Sequence, residues 1–135
     1  MLFEPISYDH AARLIGRRPW EVSRDASLLA TAHQEAVATY GGRDCVVGLD
    51  IYNVEVEAYG VAVVDPGDNG VPTAGDPCLS GVDEVLELQL DPACDGRIPL
   101  VFTAAARLAQ ARSDVRVRIP LSGPFTIACH LLGME

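Results

Sequence analysis

Cys45-Val46-Val47-Gly48-Leu49-Asp50-Ile51 is a mostly apolar run, too short for a helix, with β-branched residues in its first half and a carboxylate near its end. A run of this kind reads as a strand buried on both faces, as the strands of parallel sheets are. Upstream, Leu29, Ala32, Ala36, Val37 and Tyr40 recur at helical spacing. They predict a helix opening near Asp25, whose side chain can accept from the first exposed N–H groups, and closing at Gly41-Gly42. A shorter helix is predicted from about Tyr8 to Ile15, with Ser7 as its cap and Gly16 as its stop, and Arg17-Arg18-Pro19 breaks the pattern.

Downstream of the run, Val54, Val56 and Ala58 are interrupted by Glu55 and Glu57, a pattern that suits a short helix or an alternating strand, and Gly60 favours a helix stop. Val61 to Val64 reads as a strand, followed by the turn formers Asp65-Pro66-Gly67-Asp68-Asn69-Gly70 and a loop from Pro72 to Pro77. Ser80 with Asp83 resembles a capping box opening a helix through about Leu88. A helix with an alanine-rich face spans about Pro99 to Arg112, Val115 to Leu121 reads as a strand, and Pro124 opens a last helix that Gly133 stops. Helices and short strands in this order indicate an α/β fold.

Composition narrows the function classes. The 135 residues are 49% hydrophobic and carry 10 Lys plus Arg against 19 Asp plus Glu, one domain's worth of chain with a net charge of −9. That field repels phosphate backbones, and no basic stripe offsets it, so nucleic acid is not an expected partner. No apolar run approaches the ~18 residues of a membrane span. Met1 to Ile15 lacks the features of a secretory signal, from which a cytoplasmic chain is expected. Cys45, Cys78, Cys94 and Cys129 are separated by 33, 16 and 35 positions without a C-x-x-C pair, and read as small apolar fillers rather than disulfide or zinc ligands. Cys129-His130, adjacent on a predicted helix, points its two side chains in different directions and is not read as a metal site; Cys129 is read as core packing, and His10 and His33 as surface residues.

Two stretches carry a family resemblance: residues 48–60, Gly48-Leu49-Asp50-Ile51-Tyr52-Asn53-Val54-Glu55-Val56-Glu57-Ala58-Tyr59-Gly60, and residues 122–133, Ser122-Gly123-Pro124-Phe125-Thr126-Ile127-Ala128-Cys129-His130-Leu131-Leu132-Gly133. With the linking Asp95-Gly96-Arg97-Ile98-Pro99, the sequence from about residue 24 to 133 resembles the uroporphyrinogen decarboxylase superfamily, which also holds corrinoid-linked methyltransferases acting on thiols such as coenzyme M. The resemblance implies a TIM-type (β/α)8 barrel, for which ~250 residues is typical. This chain would then be its N-terminal portion, with residues 1–23 an extension and short helix and 24–135 the first part of the barrel.

Asp50 is the expected catalytic residue. It stands at the C-terminal end of a buried strand, where barrel enzymes project reactive groups, and matches the decarboxylase's aspartate, which the resemblance implies accepts hydrogen bonds from pyrrole N–H groups. A fixed anion in a dry site stabilises developing positive charge better than water does. The open alternative is an Asp that caps a helix beginning near Asn53. Arg24, Tyr52 and Phe125 are the expected substrate-binding residues. The decarboxylases carry two arginines four apart near the N-terminus, whereas here Arg24 is followed by Leu28 in the second place. Losing one guanidinium fork weighs against gripping an acidic tetrapyrrole, although Arg17 and Arg18 could substitute spatially. Gly123-Pro124-Phe125-Thr126 has the form of the methyltransferase branch.

These readings order the functions. The first is a methyltransferase-like barrel portion, inactive alone, whose partner is the rest of the barrel or a second copy. Decarboxylation of an acidic tetrapyrrole in haem biosynthesis is the second, and a non-catalytic oligomerising α/β subunit the third. No cofactor or metal is expected on this chain by itself. Zinc and a corrinoid protein are implied only for a completed methyltransferase.

Overall fold

The computed structural model describes residues 5–133. Its frame is a parallel pair, β1 (Asp44–Val46) and β4 (Arg116–Arg118), in the register Asp44↔Arg116, Cys45↔Val117 and Val46↔Arg118. Two helices, α3 (Ala26–Tyr40) and α5 (Ile98–Ala111), pack against each other beside it. From these two helices Leu29, Ala32, Ala36, Ala104, Ala105 and Leu108 are buried in one core. The helices α1 (His10–Leu14) and α2 (Pro19–Ser23) pack on α3 and close the same core through Ala11, Ala12 and Val22.

A smaller core joins α4 (Val54–Ala58) to α6 (Pro124–Leu132) through Val56, Val61 and Leu131. Between them run an antiparallel pair, β2 (Val63–Val64) with β3 (Thr73–Ala74), and an exposed 3-10 helix, Val82–Glu87. Among the described residues no helix is long and apolar enough to cross a membrane.

The expected parallel strand is present but shorter than the run that announced it. Val47 N–H still donates to the Arg118 carbonyl (2.9 Å), yet the next amide, Gly48 N–H, donates instead to His33 Nε2 (3.0 Å), and the ladder ends. Gly48 has no room for a side chain: a Cβ there would sit 2.8 Å from Ile51 Cγ2 and against Pro120. His33 is therefore a core residue and not the surface one expected, fully buried, with its ring aimed at the Gly48 backbone. Four residues after Leu29 and four before Val37, it lies within the apolar stripe of α3 that the fold buries.

Other departures have local causes. Pro19 ends α1's pattern but also opens α2, where it occupies the first turn and Glu21 accepts from Arg18 N–H (3.1 Å). Thr73 and Ala74, expected in a loop, pair with β2. The helix expected after Ser80 is 3-10, with Gly81 at its start and Glu84, not Asp83, accepting from Ser80 N–H. Only Cys45 is a buried filler, its thiol pushed up to about 11 by that burial. Cys78 and Cys94 are exposed because the segments that carry them lie outside both cores, and Cys129 is half-buried on α6, whose Leu131 enters the smaller core. The Asp25 cap stands as expected, accepting from Ser27 and Leu28 N–H, and residues 54–58 resolve as helix.

Burial lowers the His33 pKa from 6.5 to about 4, with the Gly48 carbonyl, 3.1 Å from Nε2, opposing the shift. Between those values the unfolded chain holds more protons than the fold, so stability rises with pH across the window and is complete above it. The contribution is about 3 kcal/mol. Urea midpoints of the wild type should therefore drop between pH 7 and pH 4.5 by more than those of His33→Gln, and parallel curves would remove His33 from the linkage.

Candidate active site

Beyond β1 the chain turns through Leu49-Asp50-Ile51 into α4, and beyond β4 it passes through Pro120 to Ser122 into α6. The C-terminal ends of the parallel strands thus share one rim. Glu55, buried on α4, fastens that rim by accepting from Ser122 N–H and Oγ–H, both at 3.0 Å.

Asp50 lies at the centre of the rim, with only 2% of its side chain exposed. Arg97, one residue before α5, donates Nη1–H to Asp50 Oδ1 (2.8 Å) and Nη2–H to Oδ2 (2.6 Å). The same guanidinium gives its Nε–H to Glu57, whose other oxygen accepts from Arg24 Nη1. Arg24 in turn stacks 4.3 Å above the Trp20 ring. The result is a row of alternating charges, Arg24, Glu57, Arg97 and Asp50, with no net charge. Burial opposes the charge on Arg97, but the hydrogen bonds and charges of Asp50 and then Glu57 outweigh it and hold the group above its ordinary range.

An open concavity of about 480 Å³ lies against this row, with Tyr8, Asp50, Tyr52, Asn53, Pro72 and His130 in its lining. Asn53 is fixed there by donating Nδ2–H to the Pro72 carbonyl (2.6 Å). The Asp50 side chain does not cap α4, which begins on Asn53 without a side-chain cap.

Of the expected site residues, Asp50 and Tyr52 share the concavity, and Arg24 stands behind it at the far end of the row. Phe125 does not join them: it is 78% exposed at the start of α6. Arg18 is committed elsewhere, with both Asp65 oxygens at 2.7 Å, and Arg17 is exposed. Glu57, Arg97, Asn53 and His130 are the residues that sequence reasoning gave no place in the site. A glycine directly before Arg97, in a stretch already noted for its resemblance, was the available signal. Among the described residues no group of three or more His, Cys, Asp or Glu could hold a metal ion, so no zinc site is assigned to them.

A parallel strand pair covered by helices, with a carboxylate and a concavity at the strands' C-terminal rim, is the β/α arrangement of a TIM-type barrel. The sequence matches the model of the family Uroporphyrinogen decarboxylase (URO-D) over residues 7–135, and the chain belongs to that family. Among solved structures it is similar to a methyltransferase from Methanosarcina mazei, at a TM-score of 0.78 and 22% identity. That match covers 97% of this chain and 38% of the other, so the chain spans well under half of its neighbour's length. No curated protein matches the sequence. The fold is accordingly part of the family's barrel.

Removing one partner of a buried ion pair leaves the other charge uncompensated. Arg97→Met should lower stability by about 3–5 kcal/mol in urea unfolding. Adding Asp50→Asn to that variant should recover part of the loss, since the stranded charge is gone, and no recovery would mean that the pair is not coupled.

Proposed function

We propose that this chain forms one wall of the substrate cavity of a corrinoid-linked methyltransferase that carries a methyl group to a thiol, with the other barrel strands supplied by further polypeptide. The observation that carries this reading is the convergence of Asp50, Tyr52 and His130 on one concavity at the strands' C-terminal rim. Three features support the methyltransferase branch: the turn Gly123-Pro124-Phe125-Thr126, Leu28 in place of a second arginine, and a fold shared with a methyltransferase.

In this reading Asp50 is the fixed anion of the site. Tyr52 contacts substrate from the lining, Arg24 backs the wall, and Phe125 meets substrate once the open side is closed. Zinc would take its ligands from outside the described residues, and a corrinoid protein would be the partner in turnover. The surface to be covered is apolar. Phe102 (48% exposed) and Leu121 (79% exposed) border a second hollow of about 200 Å³ that also takes in Val47, Ile51 and Val101. Further barrel strands would bury it, and self-association is the substitute when they are absent.

One observation favours decarboxylation of an acidic tetrapyrrole as a second reading. Arg97 stands beside Arg24 on the same carboxylate, so a pair of guanidinia exists although Leu28 supplies none. Both are already bonded to Glu57, which ranks this reading below the first.

In a reconstituted barrel given methylcobalamin and coenzyme M, Asp50→Asn should slow methyl transfer by ~10² or more. An unchanged rate would reduce Asp50 to a structural residue, and carbon dioxide release from uroporphyrinogen in the same preparation would move the assignment to the decarboxylase.

A further inference from the structure

We infer that Arg97 is the positioning residue for Asp50, and that Gly96 and Glu57 serve to place Arg97. The inference rests on the reading of Asp50 as the fixed anion of the site. A carboxylate turns easily about its last torsion, whose energy profile is broad, and an anion free to turn cannot hold its remaining lone pairs toward a substrate. The planar fork of an arginine removes that freedom by engaging both oxygens at once. Here the two bonds are 2.8 and 2.6 Å long.

Arg97 is itself held on its remaining sides. Its Nε–H is bonded to Glu57, and Nη1 also reaches the Ser23 carbonyl at 3.4 Å, so each nitrogen of the guanidinium has an acceptor. The chain reaches this place by passing against α4. Gly96 has a φ of +53°, and a Cβ on it would come within 2.8 Å of Ala58 Cα and 2.9 Å of Ala58 N. Ala58 directly follows Glu57, so the contact that demands a glycine is the one that sets Arg97 beside its acceptor.

Holding the fold together does not by itself call for this pair. Apolar residues of similar volume commonly replace a buried ion pair without loss of stability. A pair whose carboxylate borders a concavity, and whose guanidinium is fixed on three sides, has orientation as its specific product. Lysine at position 97 keeps the charge and loses the fork.

The test uses the assembled enzyme with methylcobalamin and coenzyme M. Arg97→Lys should lower kcat about tenfold or more, since small misplacements of a reacting group cost that much, while KM stays within about twofold because the substrate contacts remain. Asp50→Asn/Arg97→Lys should be no slower than Asp50→Asn alone, because Arg97 acts through Asp50. If Arg97→Lys fails to fold, Glu57→Gln takes its place. It leaves the Asp50 fork intact, removes the anionic anchor of Arg97, and should give a smaller kcat loss that is again absent in the Asp50→Asn background. A wild-type kcat in both Arg97→Lys and Glu57→Gln, or losses that multiply with that of Asp50→Asn, would overturn the inference while leaving Asp50 in its role. A wild-type kcat for Asp50→Asn would overturn the reading of the site, and the inference with it.

Discussion

The buried row of Arg24, Glu57, Arg97 and Asp50 is the constraint around which the rest of this structure is arranged. Withdrawing a guanidinium and a carboxylate from water costs several kcal/mol for each ion. With 6% of the Arg97 side chain and 2% of the Asp50 side chain exposed, that cost is offset only by close, complete pairing. The row meets the requirement by drawing on four parts of the chain: the junction of α2 and α3, the turn after β1, helix α4, and the segment before α5. Those parts belong to both cores, so the charges add a polar tie to the apolar one that Val54 on α4 already makes with the larger core.

The two ends of the parallel strands show different chemistry. At the N-terminal end, Asp44 is bonded to Arg116 and approached by Arg118 across the strand pair, which ties the strands together near solvent. At the C-terminal end the paired carboxylate borders a concavity. In barrels of this kind the first end serves stability and the second carries the chemistry. Membership of the family fixes this architecture but not the reaction, because one fold supports several.

His33 and Gly48 show how a position outside the site can shape it. The buried ring takes the amide that would otherwise extend β1, and two residues later the chain delivers Asp50 to the rim. One His33 nitrogen faces both the Gly48 N–H and the Gly48 carbonyl, while Nδ1 has no hydrogen-bond partner among the described residues. An unpartnered buried nitrogen is expensive, and it is the cost of ending the strand at that point.

The sequence by itself determined the secondary structure of the frame and the identity of its central carboxylate. Apolar periodicity marks α3 and α5, and the run from Cys45 marks a buried parallel strand with Asp50 at its exit. These signals are local, set by repeat lengths of a few residues and by capping chemistry at the ends. Tertiary structure decided what Asp50 does with its charge, that the His33 ring meets the Gly48 backbone, and that Arg97 and Glu57 stand beside Asp50 while Phe125 stands away from it. Asp50 and Arg97 are 47 positions apart. No local pattern pairs residues at that distance, since a carboxylate attracts any cation, and only the packing of Gly96 on α4 determines which one arrives.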